Sequence, residues 1–251
     1  MRRVYRRPEP DHCAGARPVE DYDLVAEDSV RNQPHDWHIE EREYLRHEDR
    51  RGRRFAYPEL DPRRTALVVV DMVPFHVTGN PYCRGIVPNI DRIARALRTA
   101  GGIVTWVVPE AGAPLPHAIE FFGPHVAESY SRSGGFGPPD TRLWPDLVAD
   151  DLDLFVEKSA ISAFCPGRCP LPRLLEQRGI DTVLITGTVT DVCCESSARD
   201  ASTLGFRVIM VADGNATRRD RDHNATLHTI YRSFGDVRPT SEVLAMIEGA
   251  G

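Results

Sequence analysis

Strand-length apolar segments alternate with segments of helical periodicity along most of this chain. The first, from Ala66 to Val70, is an unbroken aliphatic run, which is typical of a strand buried on both faces. Apolar residues then recur at helical spacing from Ile90 to Leu97, and the next strand is predicted from Ile103 to Val108. Repetition of this pattern predicts an α/β fold of three layers, with a parallel sheet between two layers of helices.

The alternation continues to the C-terminus. Further strands are predicted to end at Lys158 and to span 182–186 and 207–212, and helices are predicted at 171–178, 191–204 and 224–234, before a last apolar segment at 237–247. Residues 109–139 are rich in Gly and Pro and contain a helical candidate at 118–129. This connection is long for a compact domain, which makes it a candidate cover for a pocket.

The chain divides near residue 64. Residues 1–64 are dense in Arg, Asp, Glu and His and predict a charged, partly ordered N-terminal extension, whereas residues 65–251 predict the α/β domain. Within the extension, a helix is predicted over 39–50. Four apolar side chains there are candidates to dock the extension on the domain or on a neighbouring subunit: Trp37, Tyr44, Leu45 and Phe55.

Composition argues against several classes of protein. The formal net charge of −6 is unlike the basic surface of a nucleic-acid-binding protein. No apolar run approaches the roughly 20 residues of a membrane-spanning helix. The arginine-rich N-terminus lacks the apolar core of a secretory signal, so we expect a cytoplasmic protein whose six cysteines are mostly thiols.

Lys158 is the only lysine among 31 basic residues, and all the others are arginine. Lysine is a compact point charge whose pKa shifts when it is buried, whereas arginine is a wide planar cation. Position 158 also ends a predicted strand, and open α/β folds place their chemistry at the carboxyl ends of strands. We therefore interpret Lys158 as a functional ammonium group, with a chance surface lysine as the alternative.

Two more strand ends carry reactive side chains. Asp71 directly follows the first strand, where a carboxylate is poorly solvated and a nearby ammonium group would stabilise its charge. Asp71 is therefore a candidate base or, taken alone, a helix cap. Cys193 lies in the first turn of the helix predicted at 191–204, where the helix dipole and a nearby lysine favour thiolate. Adjacent helical residues point about 100° apart, so only one of Cys193 and Cys194 can face a pocket. Cys194 is assigned to the core.

Three segments together resemble the isochorismatase-like cysteine hydrolases. They are Leu67–Met72 with Phe75, Lys158 with Ser162, Ala163 and Phe164, and the stretch from Gly187 that carries Thr190, Asp191, Cys193, Ser196, Arg199, Asp200 and Ala201. The order and spacing of these motifs cover roughly residues 64–240. The resemblance implies a six-stranded parallel sheet of Rossmann-like topology and a catalytic triad of Cys193, Asp71 and Lys158.

The resemblance also implies a mechanism. Asp71 takes the proton of the Cys193 thiol, the sulfur attacks a carbonyl carbon, and Asp71 then protonates the departing nitrogen, while Lys158 organises both groups. Water hydrolyses the resulting thioester, and the backbone N–H groups of Val189 and Cys193 bind the oxyanion. The family places a cis peptide bond before the first of these donors, here between Thr188 and Val189.

Departures from the family patterns reduce the number of reactions that the resemblance allows. Members that bind a metal use an Asp and His set just beyond the second strand, but residues 106–111 read WVVPEA, so we expect no metal and no other cofactor. Members that cleave a vinyl ether do not use the cysteine as a nucleophile, so Cys193 favours hydrolysis of a carbon–nitrogen bond. Amides, N-carbamoyl compounds, ureides and lactams all stay open as substrates. Val73 and Pro74 replace the family's common Gln and Asn, so the polar lining of the pocket is not predicted.

Phe75, Phe164 and Trp106 are the candidate substrate-binding side chains, and each also suits a core. We expect a small-molecule substrate, a homo-oligomer, and no nucleic-acid or membrane partner. Three alternatives stay open. They are a vinyl ether hydrolase of the isochorismatase type, a thiol sensor that uses Cys165 with Cys169 or Cys193 with Cys194, and a non-catalytic binding scaffold.

Overall fold

The computed structural model describes residues 32–250, so residues 1–31 of the predicted extension and Gly251 lie outside the described residues. The six described strands are β1 (Thr65–Val70), β2 (Ile103–Pro109), β3 (Leu154–Lys158), β4 (Thr182–Thr188), β5 (Arg207–Ala216) and β6 (Asp236–Arg238). The described helices are α1 (Glu41–Arg51), α2 (Pro74–Val77), α3 (Pro81–Gly85), α4 (Val87–Thr99), α5 (Pro116–Phe122), α6 (Pro124–Ser131), α7 (Leu171–Glu176), α8 (Glu195–Thr203), α9 (Asp220–Ser233) and α10 (Thr240–Glu248). A π-helical turn at Thr190–Cys194, called the cysteine turn below, links β4 to α8.

All six described strands lie in one parallel sheet in the order β3-β2-β1-β4-β5-β6. The predicted three-layer α/β fold with a six-stranded parallel sheet is therefore confirmed. Strand order reverses between the neighbours β1 and β4, and open α/β sheets bind ligands beyond the carboxyl ends of the strands at such a reversal. Val70 lies beside Val107 on one side and Gly187 on the other, so the residues after β1 and β4 emerge side by side.

The core consists of two clusters, one on each face of the sheet. Leu67 and Val69 of β1 join a cluster with α4 and α10, whereas Val68 and Val70 join a cluster with α8 and α9. Alternate residues of a strand point to opposite faces, so a strand covered on both sides is apolar at successive positions. This accounts for the unbroken aliphatic run in the sequence. Within residues 32–250, no helix has the length and apolar character needed to cross a membrane.

Two predicted helices differ from the structure in more than their end points. The candidate at 118–129 is two helices, because Gly123 ends α5 with a φ of 80° and Pro124 begins α6 without an N–H to donate. The helix predicted at 191–204 begins instead with the cysteine turn, and α-helical geometry starts only at Glu195. A single π-helical turn leaves the apolar periodicity of a sequence nearly unchanged, so the pattern did not predict it.

The described part of the extension, residues 32–64, packs against the domain of the same chain. Trp37, Tyr44 and Phe55 contact the cluster on the α8 and α9 face. The ring of Tyr44 meets Tyr231 of α9 edge to face, with 5.0 Å between the centroids. Leu45, the fourth candidate docking residue, is 56 % exposed. These residues therefore form an additional layer over α9.

Gly187 allows β1 and β4 to approach closely just before the two strands end. Its φ is 113°, and a Cβ atom at this position would lie 2.1 Å from the carbonyl oxygen of Val70. We expect Gly187→Ala to destabilise the fold by about 3 kcal/mol or more, because the two backbones must move apart.

Gly205→Ala is the matched control for this prediction. Gly205 also has a positive φ, 95°, but no atom of the described residues lies within 4 Å of an added Cβ atom. Thermal unfolding of both variants measures the loss of stability in each. The difference between the two losses gives the effect of the close approach, because both glycines have a positive φ. Equal losses of stability in the two variants would contradict the role of the close approach.

Candidate active site

Asp71 lies immediately after β1, at the carboxyl edge of the sheet, and only 1 % of the residue is exposed. Its backbone is fixed from both neighbouring strands. The N–H donates to the carbonyl oxygen of Val107 (2.9 Å), and the carbonyl oxygen accepts a hydrogen bond from the hydroxyl of Thr188 (2.8 Å). The φ of 52° lies in the left-handed region, which Asp adopts more readily than most residues. The strand end therefore presents this carboxyl group in a fixed position.

Lys158 is the last residue of β3, and its ammonium group is buried beside Asp71. Nζ lies 2.9 Å from Asp71 Oδ2 and donates hydrogen bonds to the carbonyl oxygens of Ala160 (3.1 Å) and Ile161 (3.0 Å). The ammonium group thus donates to two backbone carbonyl oxygens and lies at ion-pair distance from the Asp71 carboxylate. Since its side chain is only 3 % exposed, Lys158 is not a chance surface lysine.

Cys193 joins this cluster from the cysteine turn. Its Sγ lies 3.7 Å from Lys158 Nζ. Cys194 is fully buried, and its Sγ points back toward the carbonyl oxygen of Thr186, 4.0 Å away. The structure thus turns Cys193, and not Cys194, toward the ion pair of Asp71 and Lys158. A thiol, a carboxylate and an ammonium group come together from three different strand ends.

The charges of this cluster act strongly on one another. Burial and the Asp71 carboxylate raise the pKa of Cys193 far above its ordinary value, and together they outweigh Lys158, which lowers it. Burial also opposes the charge of Lys158, but Asp71 and the Cys193 sulfur outweigh burial and raise the pKa of the ammonium group. Lys158 does favour the Cys193 thiolate, as expected, but burial and Asp71 oppose it more strongly. A second buried anion beside the Asp71 carboxylate is unfavourable, and this favours the protonated thiol at Cys193.

The segment between β4 and α8 carries both predicted oxyanion donors. The peptide bond between Thr188 and Val189 is cis, as the resemblance implies. The carbonyl oxygen of Val189 accepts hydrogen bonds from the N–H groups of Val192 (3.1 Å) and Cys194 (3.2 Å), and these bonds hold the cysteine turn. Oxyanion binding by the N–H groups of Val189 and Cys193 stays a prediction.

Phe75 is the partly exposed member of the three predicted substrate-binding residues. It lies on α2, four residues after Asp71. Its ring meets the rings of His76 and Tyr130 edge to face, at 5.0 Å and 6.0 Å between centroids. Tyr130 belongs to α6, so the long connection after β2 does reach this side of the site.

Trp106 and Phe164 are fully buried in the core, so their prediction as substrate-binding residues is wrong for this structure. Trp106 lies in the cluster on the α4 face, and its indole N–H donates to Asp153 (2.7 Å). Phe164 lies in the cluster on the opposite face, with its ring against Phe206. Close packing on all sides leaves neither ring a surface for a substrate.

Ser197 connects two segments of the site and is not among the residues predicted from the sequence. Its hydroxyl donates to the carbonyl oxygen of Cys193 (2.6 Å) and accepts the N–H of Ala163 (2.9 Å). It therefore links the loop after Lys158 to the start of α8. Its position in the sequence could have indicated this role, because a serine four residues after Cys193 on a helix can donate a hydrogen bond to the carbonyl oxygen of Cys193.

The histidines of the described residues do not converge on a metal centre. Within residues 32–250, no group of three or more His, Cys, Asp or Glu side chains is arranged to hold a metal ion.

The pKa of His76 is lowered by burial. Among the charges of the site, Asp71 raises this pKa and Lys158 lowers it. His76 therefore stands as a neutral ring beside Phe75.

Alkylation tests the assignment within the cysteine pair. Burial raises the pKa of Cys194 well above its ordinary value and leaves it no access to reagent, whereas Cys193 is 9 % exposed. We expect iodoacetamide near neutral pH to label Cys193 before Cys194, with tandem mass spectrometry locating the label between the two neighbours. The partly exposed Cys165 reports that the reagent is active. Earlier labelling of Cys194 would reverse the assignment.

Sheet order and the cluster at the strand ends are those of an α/β enzyme, and comparison with known families identifies the class. The family model of the Isochorismatase domain matches residues 65–242, and the chain therefore belongs to the isochorismatase family of hydrolases. This confirms the resemblance found in the sequence. The match begins at β1, so the extension lies outside the shared region.

Three relatives illustrate the similarity. The structure of a cysteine hydrolase from Pseudomonas syringae pv. phaseolicola has a TM-score of 0.69 and 29 % identity, covering 78 % of this chain and 98 % of that one. The maleamate amidohydrolase of Pseudomonas putida is 29 % identical over 196 residues, which are 70 % of this chain and 83 % of that protein. The structure of N-carbamoylsarcosine amidase from Thermoplasma acidophilum has a TM-score of 0.58 and 27 % identity, covering 70 % and 96 % of the two chains.

Proposed function

We propose that this protein hydrolyses a carbon–nitrogen bond of a small molecule through a thioester on Cys193. The observation that carries the proposal is the buried contact chain from Cys193 Sγ to Lys158 Nζ (3.7 Å) and from Nζ to Asp71 Oδ2 (2.9 Å). These are the groups that acyl transfer requires: a nucleophile, a base that later acts as an acid, and a cation. The amidohydrolase and amidase relatives support the same reaction class.

The raised pKa of Cys193 defines the first step of the proposed reaction. The thiol proton moves to the Asp71 carboxylate as the sulfur attacks the carbonyl carbon, so a free thiolate does not accumulate beside another anion. Lys158 stabilises whichever of the two groups carries the negative charge. The N–H groups of Val189 and Cys193 bind the oxyanion, and the intermediate collapses as Asp71 gives its proton to the departing nitrogen.

In the second half of the reaction, Asp71 again acts first as a base and then as an acid. A water molecule loses a proton to Asp71 as its oxygen attacks the thioester carbon, and the carbon–sulfur bond breaks. The Cys193 sulfur then recovers the proton from Asp71. The net result is a carboxylic or carbamic acid, an amine or ammonia, and the starting state of the site.

The alternatives fit these residues less well. Vinyl ether hydrolysis has no use for a thiol held beside both Asp71 and Lys158. A redox-sensing cysteine needs a low pKa and an accessible sulfur. Burial instead raises the pKa of Cys169 to about 11, and burial with Asp71 raises that of Cys193 further.

An ammonia-release screen tests the proposal. The panel should contain amides, N-carbamoyl compounds, ureides and lactams, with Cys193→Ala as the blank, and ring opening of the lactams is followed by mass spectrometry because it releases no ammonia. Cys194→Ala is the matched control, because that sulfur faces the core and its loss should leave the reaction intact. A substrate that releases ammonia or amine with the wild type and not with the blank supports the proposal. Equal signals across the whole panel would favour the binding scaffold.

A further inference from the structure

The extension places a histidine behind the cysteine turn. His35 lies outside the region matched by the family model, yet its side chain is only 1 % exposed. Its ring is stacked between Tyr82 of α3 and His223 of α9, with centroid distances of 3.9 Å and 4.1 Å and interplanar angles of 1° and 9°. A buried, sandwiched ring from a segment outside the shared domain is a feature that the proposed reaction does not use.

Two hydrogen bonds fix the proton on this ring. Nε2 accepts the backbone N–H of Thr217 (3.1 Å), so Nε2 carries no proton. The proton of the neutral ring therefore lies on Nδ1, which donates to Asp220 Oδ1 (2.6 Å). Burial lowers the pKa of His35, whereas Asp220 raises it, and the net lowering agrees with a neutral ring.

Two of the residues that contact His35, Thr217 and His223, are hydrogen-bonded to the cysteine turn. The hydroxyl of Thr217 donates to Asp191 Oδ1 (2.7 Å). His223 Nδ1 lies 2.9 Å from the hydroxyl oxygen of Thr190. Thr190 and Asp191 are the first two residues of the turn that carries Cys193. His35 thus reaches that turn by two separate routes, each with a single residue in between.

The chain around His35 is itself held on both sides. On one side, the N–H of Gln33 donates to the carbonyl oxygen of Pro81 (3.1 Å). On the other, the side chain of Asn224 accepts the N–H of His38 (2.9 Å) and donates to the carbonyl oxygen of Asp36 (2.9 Å). These bonds fix the backbone, so the position of the His35 ring does not depend on its own contacts alone.

We propose that His35 is a positioning residue, which holds the cysteine turn and through it Cys193 in the geometry that attack on the substrate requires. It touches neither Asp71 nor Lys158 and acts only through Thr217 and His223. This inference rests on the proposed role of Cys193 as nucleophile. If His35 has this role, residues 32–64 of the extension contribute to the activity of the domain.

Two substitutions separate positioning from packing. His35→Phe keeps a flat ring between Tyr82 and His223 but removes both hydrogen bonds, whereas His35→Gln offers a carbonyl oxygen that can again accept the N–H of Thr217. The matched control is His38→Gln, because His38 lies on the same segment with an exposed side chain.

Hydrogen exchange measured by mass spectrometry is the first readout, because it needs no substrate. We expect His35→Phe to speed exchange of the amides of Thr190–Cys194 by about 10-fold, with little change in β1 and β2, since the effect is local. On a substrate from the screen, kcat should fall about 10-fold with KM changed less than about 3-fold, because a small misplacement of a nucleophile acts on the chemical step. His35→Gln should recover part of both effects, and His38→Gln should match the wild type.

Distinct outcomes would overturn the proposal. Unchanged exchange of the cysteine turn in folded His35→Phe means that His35 does not hold the turn. Faster exchange spread evenly over the sheet means that its role is merely structural. If His35→Phe does not fold, His35→Gln decides the same question by its own exchange and its kcat. If the wild type turns over no substrate, the proposed function fails, while hydrogen exchange still decides whether His35 holds the turn.

Discussion

Cys193→Ala is expected to lower kcat by at least about 10⁴-fold on any substrate that the screen identifies, because it removes the atom that forms the thioester. The ion pair of Asp71 and Lys158 stays in place, so substrate binding should change far less than turnover. The substitution removes one small buried atom, so the thermal midpoint should fall by only a few degrees.

The control for this prediction is the adjacent cysteine. Cys194 is fully buried, and its sulfur faces Thr186 rather than Lys158. Cys194→Ala should therefore cost stability and leave kcat within a few-fold of the wild type. If Cys193→Ala retained more than about one tenth of the activity, nucleophilic catalysis by this residue would be excluded.

Lys158→Arg is expected to lower kcat by about 100-fold, although it keeps the charge in a chain whose other basic residues are all arginine. The ammonium group fits among Asp71 Oδ2, two backbone carbonyl oxygens and Cys193 Sγ, all within 3.7 Å. A planar guanidinium group is wider than this space, so it would displace Asp71 or Cys193 by about an ångström. Misplacement of that size is enough to produce the loss.

Turnover and the thermal midpoint of Lys158→Arg must be measured together. Arg64→Lys is the matched control, because it exchanges the same two cations at an exposed ion pair with Asp181. That variant should lose neither activity nor stability. Near-normal turnover of Lys158→Arg would show that an ammonium group is not required at this position. Loss of activity in a variant that keeps its thermal midpoint would support the account.

The parts of this protein that its sequence predicts are those set by local pattern. The aliphatic run at β1 and the reactive residues at strand ends predict a parallel sheet with chemistry at its carboxyl edge, and the structure brings Asp71, Lys158 and Cys193 together there. Strand β5 runs past its predicted end at 212 because a buried polar residue continues it. The side-chain amide of Asn215 donates to the carbonyl oxygens of Ile185 (2.8 Å) and Val211 (2.7 Å). An apolar pattern does not predict a polar residue within a strand.

Other features depend on contacts that the sequence does not display. His35 and Asp220 are 185 residues apart, so their hydrogen bond and the stacking on His223 follow only from the folded chain. Trp106 is an aromatic residue within a strand and Phe164 follows the end of one, and aromatic residues at either place suit a pocket wall and a core equally. The protonation of Cys193 depends on how burial and Asp71 weigh against Lys158, which sequence position alone does not decide.

The most direct test of the central claim is detection of an acyl group on Cys193 during turnover. A single-turnover reaction is quenched with acid, and the peptide that contains Cys193 is examined by mass spectrometry, while a parallel reaction contains hydroxylamine to intercept the thioester. We predict an adduct with the mass of the acyl group on Cys193 and diversion of product into the hydroxamate, both absent with Cys193→Ala. Product that forms at the normal rate with neither adduct nor hydroxamate would contradict the thioester mechanism.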